Sequence, residues 1–279
     1  MRGIVAARAK NAYRAFARIY TEVMLLIRAH RHKSAVDFSI YDTKAMPTLD
    51  PQALLIDADD TLWENNVYFE RTIAEFMRRL NHQRMTQHEV RLFLNQVERE
   101  TILERGYGSH SFAHSLIKTF ERLAQQPVTP EMHEFIWSFA HRVSSSPLEL
   151  LEGVPETLGY LAGRNHHLIL MTKGDFTEQS GKVERSGLKE YFAAVEIVAE
   201  KDVEIYRGMI AKYDLEPATT WMVGNSPRSD INPALAAGIN AVLVPHDNTW
   251  VLEHETVNVA PEGLRFLEVE KFTGLREHF

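Results

Sequence analysis

The sequence predicts an α/β protein with a doubly wound, mainly parallel sheet of five or more strands and an α-helical domain inserted after the first strand. Three observations predict it. Short continuous apolar runs recur along the chain, as in strands buried on both faces. Between the later runs lie spacers of roughly 18 to 20 residues, long enough for one crossover helix each. After the first run, by contrast, a stretch of about 80 residues carries helical periodicity and no strand pattern.

Taken in order, the first strand is read in "ALLIDAD" (53–59). The interruption spans 64–146. Its apolar residues recur at helical spacing: Phe69, Ile73, Phe76 and Leu80, then Val90, Leu92, Phe93 and Val97, then Leu116, Ile117, Phe120 and Leu123, then Phe135, Ile136 and Phe139. It closes on the breaker cluster "SSSP" (144–147). The second strand is "HHLILMTKG" (166–174), the third "AAVEIVAE" (193–200), the fourth "TTWMVGN" (219–225) and the fifth "NAVLVP" (240–245). The expected domains are an N-terminal segment (1–50), an α/β core (51–63 with 147–279) and the helical insertion (64–146).

The N-terminal segment has a different character. Residues 1–33 carry eight Lys or Arg against the single acid Glu22, whereas the whole chain has a net charge of −7. Phe16, Tyr20, Val23, Met24 and Ile27 recur at helical spacing, with Lys10, Arg14 and Arg18 on another face, which predicts an amphipathic helix. Three uses stay open: docking on the body or on a second subunit, peripheral contact with a membrane surface, or organelle targeting. Residues 31–50 read as a linker. The remainder is acidic, which argues against nucleic acid as a partner. No apolar run approaches the ~18 residues of a membrane span. The chain has no cysteine, which excludes disulfides, thiolate nucleophiles and Cys-ligated metals. A cytoplasmic location is the expectation.

The chemistry gathers at strand ends. In an open α/β sheet, ligands bind beyond the carboxyl ends of the strands. There the sequence places Asp57, Asp59 and Asp60, then Thr172, Lys201, and finally Asn225 and Asp230. Three aspartates after an apolar strand repel one another and resist burial. A cation, a phosphate chemistry, or both would offset that cost.

In order, "DADDT" (57–61), Thr172, Lys201 and "GNSPRSD" (224–230) resemble the four motifs of the haloacid dehalogenase superfamily over about residues 50–250. The resemblance implies a Mg²⁺-dependent phosphatase acting on a small phosphorylated metabolite beneath a helical cap. Asp57 would be the nucleophile, forming an aspartyl phosphate, and Asp59 the general acid for an alkoxide leaving group. A halide leaves without a proton, so Asp59 favours phosphoryl transfer over dehalogenation. Asp60 would shape the turn, and Thr61 would steady the loop. Thr172 with the backbone amides of Lys173 and Gly174 would hold phosphate oxygens, and Lys201 would neutralise phosphate and nucleophile. Asp57, Asp59, Asn225 and Asp230 are the expected metal set. Many relatives carry Asp where Asn225 stands, so weaker Mg²⁺ binding is expected. A phosphomutase, or a catalytically weak scaffold on the same fold, is the alternative. In the insertion, Arg105 and Tyr107 of "ERGYGSHSF" (104–112) fall in a loop expected to connect two helices, and Trp63, Asn65 and Asn66 near its hinge.

Overall fold

The computed structural model describes residues 50–124 and 127–279, so the expected N-terminal helix lies outside the described residues. Six strands form one sheet: β1 (Ala53–Ile56), β2 (His167–Lys173), β3 (Ala194–Val198), β4 (Thr220–Gly224), β5 (Asn240–Leu243) and β6 (Phe266–Glu268). Their order is β3-β2-β1-β4-β5-β6, and every pairing is parallel. Five of the six are the strands expected from sequence. The sixth is a three-residue edge strand, "FLE", too short to announce itself by pattern.

Alternation along β1 divides the core between the two faces. Leu54 and Ile56 join Leu168, Leu170, Trp221 and Val223 on one face. There they pack on Val154, Leu158 and Leu161 of α5 (Val154–Gly163), on Val183 of α6 (Phe176–Ser186), and on Phe272, Leu275 and Phe279 near the C-terminus. Leu55, Ile169, Met171 and Met222 face the other way, onto Tyr206 and Met209 of α7 (Val203–Lys212) and Ala234 of α8 (Asn232–Ala237). Helices thus cover both faces, as a parallel sheet requires.

The interruption after β1 folds as four helices: α1 (Asn66–Leu80), α2 (Gln87–Arg105), α3 (Ser109–Leu123) and α4 (Pro130–Ser144). They enclose their own apolar cluster, built on Ile73, Phe76, Leu94, Phe112, Leu116, Ile136 and Phe139. Helix α2 starts on a capping box, in which Thr86 accepts the Glu89 amide and Glu89 accepts the Thr86 amide. The two chain crossings into this unit run side by side. The Glu64 amide donates to the Glu149 carbonyl (2.9 Å), and the Leu151 amide to that of Leu62 (2.9 Å).

One expectation about α2 needs correction. Leu92 is exposed, and the positions that face inward include Asn95, Glu98 and Thr101 beside Val90, Leu94 and Val97. The buried stripe therefore carries polar groups, which apolar periodicity alone cannot find.

Candidate active site

The strand order reverses between β1 and β4, and at that switch point their carboxyl ends face a common crevice. The chain leaves β1 through Asp57, whose amide still donates to the Val223 carbonyl of β4 (2.9 Å). Asp57 is thereby fixed at the mouth of the crevice, 7% exposed. Opposite it, Lys201, 4% exposed, follows β3. The Lys201 Nζ reaches Asp57 Oδ1 at 2.5 Å and Asp230 Oδ1 at 2.8 Å. Burial works against the Lys201 charge, but Asp230 and Asp57 outweigh it and hold its pKa above the ordinary value. Burial pushes Asp57 up, with Asp230 and Asp59 adding to the effect and Lys201 opposing it. One buried ammonium thus serves two buried carboxylates, leaving the crevice short of positive charge.

The fit to a hard cation rests on oxygens already gathered. Thr61 Oγ1 lies 3.1 Å from Asp57 Oδ2 and 3.4 Å from Asn225 Oδ1. The Asn225 amide is oriented from behind, because its Nδ2 donates to Thr249 Oγ1 (3.0 Å), while its Oδ1 shares the Thr61 hydroxyl with Asp57. A carboxylate and a carbonyl facing each other at a strand switch are the oxygen donors Mg²⁺ prefers. Asp230 is committed differently. Its Oδ1 takes Lys201, and its Oδ2 takes the Ser226 amide (3.0 Å). It packs against Gly224, where a Cβ would fall 2.2 Å from the carboxylate, so glycine is required. Asp60, Glu64 and His246 form a separate group, with ligating atoms within 4.8 Å of one another.

Asp60 adopts a left-handed backbone (φ 59°) and accepts the amides of Asn65 and Asn66, capping the start of α1. Burial pushes its carboxyl up to about 7. Asp59 meets a set of partners that sequence reading did not find. Lys182 Nζ lies 2.8 Å from its Oδ2, Gln179 Nε2 donates to the same oxygen (3.1 Å), and the Trp63 indole donates to Oδ1 (2.7 Å). Trp63 is itself buried in the core, 1% exposed, while Asn65 and Asn66 line the crevice.

Thr172 stands at the end of β2, where its hydroxyl accepts Gln179 Nε2 (2.8 Å). The Gly174 amide is already taken by the Val198 carbonyl (3.0 Å). The Lys173 side chain turns away from Asp57 toward Glu253 (2.6 Å), Ser229 (2.6 Å) and Tyr107 (3.3 Å). It and Lys201 therefore serve different networks, and the Lys201 ammonium is the one that meets Asp57.

The loop at 106–108, with Ser109 at the start of α3, does more than connect helices. The Tyr107 hydroxyl donates to Glu200 (2.7 Å), beside Lys201. Burial pushes the Tyr107 phenol up to about 12. Ser109 donates its hydroxyl (2.6 Å) and its amide (3.0 Å) to Glu178 at the start of α6. Gly108, with φ +123°, lies so close to Asp175 that an added Cβ would sit 3.2 Å from that side chain. The insertion is latched to the core directly above the crevice. Below the latch, the cleft is walled by Asp57, Asp59, Thr172 and Lys201 on the core side and by Phe69, Ile73, Glu98 and Phe112 on the insertion side.

The model for "Haloacid dehalogenase-like hydrolase" matches residues 54–244. The chain is 26% identical, over 236 residues, to a glyceraldehyde 3-phosphate phosphatase of Methanothermobacter thermautotrophicus, covering 81% of this chain and 98% of that one. Among solved structures, a haloacid dehalogenase-like family hydrolase from Xanthomonas campestris superposes with a TM-score of 0.67 at 29% identity, over 82% of this chain and 94% of that one. The L-2-haloacid dehalogenase of Xanthobacter autotrophicus shares the fold at a TM-score of 0.56 and 16% identity, over 81% and 97%.

Proposed function

This chain belongs to the haloacid dehalogenase-like hydrolase family, and from that premise we propose that it is a Mg²⁺-dependent phosphatase of a small phosphorylated metabolite, with the helical insertion as its cap. The family holds both dehalogenases and phosphatases among this chain's neighbours. The observation that carries the choice is a second carboxyl, Asp59, in the same cleft as the Asp57–Lys201 pair. Halide departs without a proton, whereas an alkoxide needs one from a neighbouring acid.

In this reading the substrate phosphate lies between Thr172 and Lys201, whose ammonium neutralises its charge. A carboxylate oxygen of Asp57 attacks phosphorus in line, and the P–O bond to the leaving group breaks as the aspartyl phosphate forms. Asp59 gives its proton to the departing oxygen. It then takes one back from the water that cleaves the acyl phosphate, so Asp57 and Asp59 return to their starting states. Lys182, Trp63 and Gln179 all donate to Asp59 in the free protein, so it serves as the acid only after taking up a proton from solvent and exchanging one of these contacts for the leaving oxygen. Asp57, Asn225 and the Asp59 carbonyl would hold Mg²⁺, which supplies charge neutralisation at the phosphate. The latch through Tyr107 and Ser109 keeps water out of the closed cleft.

Hydrolysis of p-nitrophenyl phosphate, with and without Mg²⁺, tests this. Turnover should require the metal and vanish in Asp57→Asn. A folded chain that is silent with metal and gains no thermal stability from it would overturn the reading in favour of a scaffold.

A further inference from the structure

Five carboxyl side chains are buried among the described residues: Asp57, Asp60, Glu98, Asp230 and Glu253. Four of them are held by donors. Asp57 and Asp230 share Lys201, Asp60 takes two backbone amides, and Glu253 takes Lys173, Ser226 and Ser229. Glu98 is the exception. It is 5% exposed, and its Oε2 has no hydrogen-bond partner among the described residues. Arg91, whose charge acts on it, is paired instead with Glu70 at 2.6 Å. A buried carboxylate without a partner is costly and persists where something else supplies the partner.

Glu98 lines the same cleft as Asp57 and Lys201, on the opposite wall. The insertion side of the cleft also presents Phe69, Ile73, Ile102 and Phe112, with Tyr107, Ser111 and Ser115 among its polar residues. Phe69 and Phe112 form an edge-to-face pair with centroids 5.0 Å apart. Phe69 and Phe112 line the same cleft as Glu98, and aromatic rings and a carboxylate on one wall both favour a cation there. The only bases among the described residues lining the cleft are Lys173, Lys182 and Lys201, all from the core. A second anionic group on the substrate would therefore meet no positive charge at the insertion wall.

We infer that Glu98, with Phe69 and Phe112, is the specificity site for the far end of the substrate, and that this end is a protonated amine: the substrate class is a phosphomonoester of an amino alcohol. The inference rests on the phosphatase reading only for the position of the phosphate.

The test reads binding first. Calorimetry on Asp57→Asn protein compares ω-aminoalkyl phosphates with n-alkyl, ω-hydroxyalkyl and ω-carboxyalkyl phosphates of matched length. The best amine should bind about tenfold or more tightly than its alkyl and hydroxyl counterparts, and the carboxylate most weakly of all. In the double variant carrying Glu98→Gln, the amine-to-alkyl ratio should fall to about one. Equal affinity for amine, hydroxyl and alkyl esters overturns the assignment, as does an amine preference that survives Glu98→Gln, or no binding by the folded protein. An amine preference in binding without turnover by the native chain would uphold the site and defeat the phosphatase reading, so the two fail separately.

Discussion

Replacing Glu98 with glutamine should stabilise the free protein, and by an amount that depends on pH. Burial pushes the Glu98 carboxyl from 4.5 to about 7, with Arg91 opposing and Glu70 adding to the effect. A raised carboxyl means that, between those values, the native state binds more protons than the unfolded chain. Stability therefore falls as pH rises through that window, and the full cost remains above it. At about 1.4 kcal/mol for each tenfold change, the burden at pH 8 is about 3 kcal/mol. The neutral amide of Glu98→Gln removes it. For a folded unit of this size, that corresponds to roughly 6–12 °C in melting temperature. Calorimetric melts of both proteins without ligand should show the gain near pH 8 and almost none near pH 4.5, where the native carboxyl is already neutral. A variant that melts lower than the native chain at pH 8 would refute the reasoning. It would mean that Glu98 is partnered in solution, with Arg91 as the partner, since Arg91 Nη1 is buried without a hydrogen bond as well.

Two further outcomes follow from the crevice and its latch. Asn225→Asp places a second carboxylate beside Asp57 and should lower the Mg²⁺ concentration needed for half-maximal thermal stabilisation by about tenfold, while destabilising the metal-free protein through like-charge repulsion. An unchanged metal midpoint would remove Asn225 from the metal set. Glu178→Ala deletes the acceptor of the Ser109 amide and hydroxyl. It should speed amide hydrogen exchange through 106–112 by about tenfold, the effect of losing roughly 1.4 kcal/mol of closure. Exchange at the native rate would show that the Tyr107–Glu200 bond suffices to hold the insertion down.

The parts of this molecule that sequence discloses are those in which burial writes a pattern. Strands covered on both faces are apolar through their centres, so β1, β2, β4 and β5 announce themselves as short apolar runs such as Leu168–Met171 and Trp221–Val223. Parallel strands also end at one edge, so Asp57, Thr172, Lys201, Asn225 and Asp230, scattered over more than half the chain, could be assigned to one crevice from their place after each run. What stayed hidden are contacts made across long separations by side chains with no periodic signature. Lys182 and Gln179 sit on a helix that reads only as a crossover, yet they grip Asp59. Glu253 holds Lys173 from 80 residues away, and Tyr107 reaches Glu200 across 93.

Glu98 shows why the omission falls on function in particular. Helix α2 has two exposed leucines, Leu92 and Leu103, and buried polar residues at Asn95, Glu98 and Thr101. Each departs from the rule that apolar residues define the inner face. Thr101 conforms physically, since its hydroxyl donates to the Val97 carbonyl (2.9 Å). Asn95 Oδ1 and Glu98 Oε2 have no such resolution, and of these two residues only Glu98 reaches the cleft. A stability-driven sequence would place leucine at this buried position and gain rather than lose free energy. The position carries a carboxylate instead, so the fold bears a cost at the wall facing Asp57, and that cost is the observation from which the amine site is inferred. The apolar stripe of a helix locates its core; the interruptions of that stripe, once they are seen to line a cleft, locate its chemistry.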